Sequence, residues 1–229
     1  MKIVSIGDTH GIDILPEINI VNYDKIIFVG DYMDSFTVSG PTQIDNLLKI
    51  IELKLTYPEK VELLLGNHDI QYYLHDSLLY LVRASGYNPI TKFDAYDVFT
   101  KHKDLFKIAW QYDNYIWTHA GIHKGWYNDT FKRFDIHKTL ADSLNFELEE
   151  QNPVLWWCSL QRGGSHKTPG PLWADKIETW RKPLPGFHQI VGHTHLSEIK
   201  QNILNTDTSV TYIDTINDSN SNRFYTINL

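Results

Sequence analysis

Cysteine is almost absent from this sequence of 229 residues, which contains only Cys158. A single cysteine excludes an internal disulfide and a zinc site built from thiolates. Long apolar runs are absent too, since no window approaches the ~18 apolar residues that a membrane span needs. The first six residues lack the extended apolar core of a signal peptide. These absences predict a globular cytoplasmic protein that does not act in a membrane.

Positive charge is scarce. The chain has 21 Lys and Arg residues against 28 Asp and Glu residues, which gives a formal net charge of -7. No extended nucleic-acid footprint is therefore expected, because such a footprint needs a basic surface. A small phosphorylated substrate stays compatible with this charge, since the local field at a site can differ from the net charge.

The first half of the chain alternates strand-like and helical patterns. Apolar runs at 2–6, 25–29 and 61–65 predict strands. The clearest helix spans 41–56 and has an apolar stripe of Ile44, Leu47, Leu48, Ile51 and Leu55. This helix lies between two of the strands, and such a βαβ unit implies parallel pairing. Further helices are predicted from Ile70 to Gly86, with Tyr73, Leu74, Leu78, Leu81 and Val82 inward, and over 93–104.

The second half is richer in strands. Residues 106–112 and 115–118 predict a hairpin around Asp113-Asn114, and residues 123–150 predict exposed helices. Residues 151–187 are irregular, which is typical of a functional loop. The remaining predicted strands are 188–191, 197–203, 209–214 and 223–228, with a polar turn at 217–222. Repeats and linkers are not found, so residues 1–229 are expected to form one domain.

Polar residues that can bind metal follow five of the predicted strands. Because parallel strands end at the same edge of a sheet, these clusters are expected to meet in one metal-centred site. The clusters are Asp8-Thr9-His10, Asp31-Tyr32-Met33-Asp34, Gly66-Asn67-His68-Asp69, Thr118-His119 and Gly192-His193-Thr194-His195.

The order Asp-x-His, Gly-Asp-x-x-Asp, Gly-Asn-His-Asp, His and Gly-His-x-His, between Gly7 and His195, resembles the calcineurin-like metallophosphoesterase superfamily. The resemblance implies an α/β fold, a four-layer α/β/β/α sandwich with two mixed sheets. Within the superfamily, Asp31-Tyr32, the 106–121 hairpin and Leu172-Trp173-Ala174-Asp175 are most similar to the serine/threonine protein phosphatase and diadenosine tetraphosphatase branch.

The same resemblance implies two divalent metal ions. The ligands of one ion would be Asp8, His10, Asp31 and His195. The ligands of the other would be Asp31, Asn67, His119 and His193, so that Asp31 bridges the two. Carboxylate, imidazole and amide oxygen without thiolate suit Mn²⁺, which is the expected ion, and also Fe or Zn²⁺. The implied reaction is in-line attack on phosphorus by a metal-bridged hydroxide.

Two further residues receive catalytic roles from the resemblance. His68 would protonate the leaving oxygen, which an imidazole can do because its pKa lies near working pH. Asp34 would orient the ring of His68. Asp69 is expected to stabilise the loop after strand 61–65 and not to touch the substrate.

Arginine is where the sequence departs from the protein phosphatases. Ser35 stands where they carry an arginine after the second aspartate, and residues 70–73 contain no arginine after the Gly-Asn-His motif. Two bidentate phosphate clamps are therefore missing. Arg181, after the Leu-Trp-Ala-Asp stretch, is the expected substrate-binding arginine, and Arg162 is a second candidate for which an ordinary loop role is preferred.

Three functions are compatible with these residues. The first is a phosphomonoesterase of the protein-phosphatase type, acting on a phosphorylated small molecule, a nucleotide or a phosphoprotein. The second is a hydrolase of phosphodiesters or dinucleoside polyphosphates, for which Trp156, Trp157, Trp173 and Trp180 offer base-stacking surfaces. The third is a metal-binding module without catalytic activity, against which the complete ligand set and His68 argue.

Overall fold

Two mixed sheets lie at the centre of the protein. A computed structural model describes residues 1–74, 90–217 and 223–229. In chain order the strands are β1 (Lys2–Ile6), β2 (Lys25–Phe28), β3 (Val61–Leu64), β4 (Phe106–Lys107), β5 (Ala109–Tyr112), β6 (Tyr115–Thr118), β7 (His188–Val191), β8 (Lys200–Asn205), β9 (Thr208–Tyr212) and β10 (Phe224–Asn228). The helices are α1 (Gly40–Thr56), α2 (Ile70–Tyr73), α3 (Lys92–Lys101), α4 (Lys124–Trp126), α5 (Leu140–Glu149) and α6 (Lys176–Arg181).

Each sheet combines neighbouring parallel strands with antiparallel strands at one or both edges. The first sheet has the order β10-β1-β2-β3-β4, in which β1 to β4 run parallel and β10 pairs antiparallel with β1. The second sheet has the order β5-β6-β7-β9-β8, in which β6, β7 and β9 run parallel and the outer strands are antiparallel. The parallel centres place the ends of β1, β2 and β3 together, and likewise those of β6, β7 and β9.

The two sheets pack face to face through a buried apolar layer. Its members are Ile3, Ile27, Val29, Leu64, Trp117, Ile190 and Ile213. The indole N–H of Trp117 donates across the layer to the hydroxyl of Ser5 at 2.8 Å. Alternate residues of β1, such as Val4 and Ile6, point to the opposite face and pack in the helix-side core, as expected for a strand buried on both faces.

Helices cover the outer faces of both sheets. Leu47 and Ile51 of α1 and Phe99 of α3 belong to the core beside the first sheet. On the second sheet, the hydroxyl of Thr179 in α6 lies 3.0 Å from that of Tyr212 in β9. The architecture confirms the predicted four-layer α/β/β/α sandwich with two mixed sheets. None of the helices in the described ranges has the length and apolar character that crossing a bilayer requires.

The buried face of α1 differs from the predicted stripe. Leu48 and Leu55 are exposed, whereas the polar residues Gln43 and Asn46 are buried. Gln43 donates to the carbonyl of Val38 at 2.7 Å, and Asn46 donates to the carbonyl of Gly11 at 2.6 Å. The helix is turned toward the loops that follow β1 and β2, because these polar side chains satisfy the backbone of those loops.

The segment predicted as one strand over 106–112 is divided between the two sheets. β4 belongs to the first sheet and β5 to the second. The chain crosses at Ile108, where the side-chain oxygen of Asn145 accepts from the backbone N–H of Ile108 at 2.9 Å and of Ala109 at 3.1 Å. Asn145 lies on α5, so a distant helix satisfies the bend.

Other predicted elements are changed in detail. The helices over 123–150 are interrupted and partly buried, since Trp126, Phe131 and Leu144 are inaccessible to solvent. The irregular segment 151–187 contains α6 and short 3₁₀ helices at Pro153–Trp156 and Leu160–Arg162. The helix predicted from Ile70 is described only as α2, which ends at Tyr73, and Leu74 is extended. The rest of this prediction, with Leu78, Leu81 and Val82, and positions 218–222 of the predicted turn lie outside the described residues.

Candidate metal centre

The polar clusters that follow the strands meet in one cleft of about 300 Å³, which we call the metal cleft. Asp8 follows β1, Asp31 follows β2, Asn67 follows β3 and His193 follows β7, and all four line the cleft. His119 follows β6 and is completely buried behind them. The sheets thus bring together Asp8 and His193, which lie 185 positions apart in the chain.

The backbone at this cleft is locally strained. His10, Asp31, Asp34 and His193 have φ angles of 42°, 57°, 65° and 67°. This left-handed region is uncommon for residues other than glycine, and such residues concentrate at functional sites. A neighbouring glycine is also required, because a Cβ on Gly66 would lie 2.0 Å from the Oδ1 of Asp31.

One group of candidate ligands surrounds Asn67. The Oδ1 of Asn67 lies 2.9 Å from the Nε2 of His119 and 2.6 Å from the Nδ1 of His193. The Nε2 of His119 also lies 3.3 Å from the Oδ2 of Asp31. The Nδ1 of His119 lies 2.9 Å from the carbonyl of Val29, which leaves its Nε2 as the ligand atom.

A second group shares Asp31 with the first. The Nε2 of His10 lies 3.9 Å from the Oδ2 of Asp31, and the Nε2 of His68 lies 4.0 Å from the same oxygen. The Nδ1 of His10 bonds the carbonyl of Met33 at 2.7 Å. The ligand atoms within each group lie less than 4.8 Å apart, so Asp31 stands between two possible cation positions.

Asp8 and His195 line the same cleft outside these two tight groups. Both carboxylate oxygens of Asp8 accept from the backbone N–H of His193 at 3.0 Å. The side chain of His195 is 57% exposed, and its Nδ1 lies 4.0 Å from the Oδ1 of Asp214. His195 therefore needs a ring movement to join the ligands of a cation beside His10.

The residues present fit a cation chemically. The buried Nε2 of His193 and Oδ1 of Asp214 have no hydrogen-bond partner within the described ranges. Burial raises the pKa of Asp8 well above its usual value, and the carboxylates of Asp214 and Asp31 add to this. Bound cations would relieve that repulsion. Burial and the nearby His119 lower the pKa of His193 well below its usual value, which keeps the ring neutral for ligation.

His68 is paired with Asp34. Its Nδ1 lies 3.0 Å from the Oδ2 of Asp34, and Asp34 also accepts from the side-chain amide of Gln71 and the hydroxyl of Tyr72. Burial disfavours the protonated ring, but Asp31 and Asp34 outweigh burial and raise the pKa of His68 to about 9. The imidazole is thus held in a fixed orientation and retains its proton.

Asp69 connects the loop that follows β2 to the loop that follows β3. Its Oδ2 accepts from the backbone N–H of Asp31 at 2.7 Å and of Gly66 at 2.8 Å, and its Oδ1 accepts from that of Tyr32 at 2.9 Å. Its side chain is fully buried. These hydrogen bonds agree with the loop-stabilising role expected from the sequence.

The structure does not bring Arg181 to the metal cleft. Asp175 is the N-cap of α6 and forms an ion pair with Arg162, whose Nε lies 2.7 Å from the Oδ2 of Asp175. Arg181 lies at the opposite end of the helix, beside Lys124. Arg162 lines the metal cleft, where its Nη2 donates to the hydroxyl of Thr194 at 2.9 Å. Arg162, and not Arg181, is thus the arginine that lines this cleft in the structure.

Asp214 and Trp173 are site residues to which sequence reasoning gave no role in the metal centre. Asp214 follows β9, which is parallel to β7, so the strand-end rule that found the other carboxylates applies to it as well. Trp173 places its ring 6.0 Å from that of His193 in an edge-to-face arrangement. The Leu172-Trp173-Ala174-Asp175 stretch marks this tryptophan in the sequence, but nothing in that stretch indicates a contact with His193.

Comparison with known proteins agrees with this site. The model of the calcineurin-like phosphoesterase family matches residues 1–197. A protein of Encephalitozoon cuniculi named as a serine/threonine-protein phosphatase is 35% identical over 74 residues, which are 30% of this chain and 15% of that protein. One of Schizosaccharomyces pombe with the same kind of name is 39% identical over 72 residues, 29% of this chain and 22% of that protein. The matched regions thus cover less than a quarter of either relative.

Solved structures share the fold across most of the chain. A cold-active protein-tyrosine phosphatase of a Shewanella species superposes with a TM-score of 0.54 at 18% identity, over 93% of this chain and 71% of that one. A serine/threonine phosphatase of Saccharomyces cerevisiae with similarity to human phosphatase PP5 gives 0.54 at 15% identity, over 93% and 66%. The family match confirms the resemblance that the motif order indicates: the chain belongs to the calcineurin-like phosphoesterase family.

Proposed function

We propose that this protein is a metal-dependent hydrolase of phosphate esters that acts as a phosphomonoesterase. The observation that carries the proposal is the position of Asp31, whose Oδ2 lies 3.9 Å from the Nε2 of His10 and 3.3 Å from the Nε2 of His119, beside the His68–Asp34 pair. Asp8, His10, Asp31 and His195 would hold one divalent ion, and Asp31, Asn67, His119 and His193 a second. Mn²⁺ suits these ligands best, with Fe and Zn²⁺ as alternatives. When bound, such ions lower the pKa of water and neutralise charge on the phosphate.

The chain's own residues supply binding and proton transfer. Arg162 carries its charge on the wall of the cleft, where it would contact the phosphate. The Nε2 of His68 lies 4.0 Å from the Oδ2 of Asp31 and faces the cleft. A proton on this nitrogen would pass to the leaving oxygen, while Asp34 holds the ring in place. His119 and Asp69 are fully buried beneath the cleft.

A second candidate function is hydrolysis of a phosphodiester or a dinucleoside polyphosphate. The observation that favours it is the absence of arginines from positions 35 and 70–73, which leaves room for a second substituent on phosphorus. The two relatives are named as protein phosphatases, so a phosphoprotein substrate remains part of the first candidate function.

The test compares nitrophenyl phosphate with bis-nitrophenyl phosphate, using chelator-treated protein to which Mn²⁺ is added back. We expect metal-dependent turnover that favours the monoester. Asn67→Ala serves as the blank, and it should lose both turnover and bound metal, because Asn67 contacts His119 and His193. Asp45→Ala, on the exposed face of α1, is the matched control. Preference for the diester would select the second function, and metal binding without turnover would select a non-catalytic module.

A further inference from the structure

A second cleft opens beside the metal cleft. It has a volume of about 340 Å³, within the roughly 300–1,000 Å³ of small-molecule sites. Arg162 and Trp173 line both clefts. A substrate whose phosphate lies among the metal ligands would therefore place the group attached to that phosphate in this second cleft, which we name the tryptophan cleft.

Four flat rings line the tryptophan cleft. Trp156, Trp157, Trp173 and His166 contribute them, and Arg162 is the one charged side chain among the lining residues that the structure describes. No carboxylate lines it within the same ranges, so an electron-rich or anionic ligand meets no repulsion. Ring walls with few polar groups suit a planar heterocycle, which has two apolar faces and a polar edge.

Contacts within the chain hold the walls of the tryptophan cleft in place. Trp157 and His166 stack with ring centroids 4.2 Å apart and an interplanar angle of 8°. The carbonyl of Trp157 accepts from Gly170 at 2.9 Å, and the carbonyl of Cys158 accepts from the backbone of His166 at 3.1 Å. A wall held by these bonds loses little conformational entropy when a ligand binds.

A polar group at the junction of the two clefts lacks a partner. The indole N–H of Trp173 is buried and has no acceptor in the part of the chain that the structure describes. The same ring lies edge-to-face against His193. An oxygen or ring nitrogen of a ligand that passes from one cleft to the other would satisfy this donor.

We infer that the tryptophan cleft binds the nucleobase of a nucleotide whose phosphate lies in the metal cleft. This inference rests on the proposed function and specifies its substrate class. The volume accommodates more than a single phenyl ring, and the polar atoms of Ser165 and His166 suit the edge of a heterocycle. Stacking of a base on an aromatic side chain supplies affinity that does not depend on the metal.

The first experiment measures binding of adenosine to metal-free protein by calorimetry and by quenching of tryptophan fluorescence. Adenosine has no phosphate, so its binding reports the tryptophan cleft alone. We expect Trp157→Ala to weaken binding about tenfold and Trp157→Phe to restore most of it. Trp180→Ala is the matched control, because Trp180 stacks on Tyr212 outside the cleft. If circular dichroism shows that Trp157→Ala does not fold, His166→Ala tests the same wall.

The second experiment compares the hydrolysis of AMP, glycerol phosphate and O-phosphotyrosine by the Mn²⁺-loaded protein. We expect Trp157→Ala to lower the ratio of kcat/KM for AMP to that for glycerol phosphate about tenfold. Loss of turnover of every ester would refute the proposed function, while adenosine binding would still report on the cleft. The inference would be overturned if the wild-type protein did not bind adenosine. It would also be overturned if the Trp157 and His166 variants bound adenosine as tightly as the wild type. A larger ratio change for phosphotyrosine than for AMP would overturn it too, by assigning the cleft to a phenol ring.

Discussion

The Nδ1 of His68 lies 3.0 Å from the Oδ2 of Asp34, and the hydroxyl of Tyr72 binds the other oxygen of the same carboxylate. The carboxylate is therefore fixed on one side by a tyrosine and directs an imidazole on the other. This arrangement leaves the Nε2 of His68 facing the cleft that Asp31 lines. An imidazole oriented in this way can deliver a proton to one point only, which is the property required of a general acid.

The role of His68 predicts an effect that depends on the leaving group. His68→Asn should lower kcat for an alkyl phosphate by about 10²–10⁴, because its alkoxide leaves only with a proton. Nitrophenyl phosphate should be affected much less, since nitrophenolate leaves unaided. Steady-state kinetics with both esters gives the comparison. Equal losses for the two esters would contradict the general-acid role, and unchanged metal content would show that the variant keeps its site.

The two arginines should differ in their effect on substrate binding. Arg162→Lys should lower kcat/KM by about tenfold to a hundredfold, because a hydrogen bond to a charged group contributes ~1.5–3 kcal/mol and lysine cannot reproduce the guanidinium fork. Arg181→Lys should have kcat/KM close to that of the wild type, since Arg181 lies beside Lys124 and away from the metal cleft. A larger loss in the Arg181 variant would reverse this assignment.

Asp69 should control metal binding without touching the metal. Asp69→Asn replaces one acceptor by an amide that faces backbone N–H groups, and each unsatisfied buried group costs ~1–3 kcal/mol. We expect a lower melting temperature and reduced metal content measured by mass spectrometry. Asp207→Asn, at an exposed turn, provides the comparison. Normal stability together with normal metal content would show that the three hydrogen bonds of Asp69 are dispensable.

Glu62 should make the stability of the protein depend on acid pH. Its carboxylate lies 2.8 Å from Lys25 and 3.0 Å from Lys107. Burial raises the pKa of Glu62, but these lysines outweigh burial and lower it below its usual value. The stabilisation is therefore complete above the unfolded pKa of ~4.3 and is lost as pH falls through the lower folded value.

Urea unfolding between pH 7 and pH 3 tests this linkage. Glu62→Gln should reduce the free energy of unfolding at pH 7 by about 2–3 kcal/mol, and its stability should fall less steeply with acid than that of the wild type. Glu59→Gln, an exposed neighbour, should follow the wild-type curve. Parallel curves for Glu62→Gln and the wild type would show that Glu62 does not cause the acid sensitivity.

The metal cleft could be predicted because its information is local. An apolar run that ends in Asp31 or Asn67 specifies both the strand and the position of the side chain at its end, and parallel pairing brings such ends together. The limits of α1 were predictable for the same reason, since Pro41 lies in its first turn and Pro58 lies just beyond its end.

The remaining features depend on contacts between distant segments. The bend at Ile108 is satisfied by Asn145, and the direction of Arg162 is set by Asp175. The buried face of α1 follows from the loops that Gln43 and Asn46 bind, so hydrophobic periodicity points to a different face. In each case a hydrogen bond across the fold overrides the pattern within the segment.

The residues at the cleft that adopt left-handed backbone conformations limit how this protein can be stabilised. His10, Asp31, Asp34 and His193 each adopt a backbone conformation that costs of order 1 kcal/mol and that glycine adopts freely. Glycine at such a position would relieve the strain and remove the chemistry in the same step. A screen that selects for heat resistance alone would therefore enrich inactive variants, and stabilisation of this protein has to be sought away from these four residues.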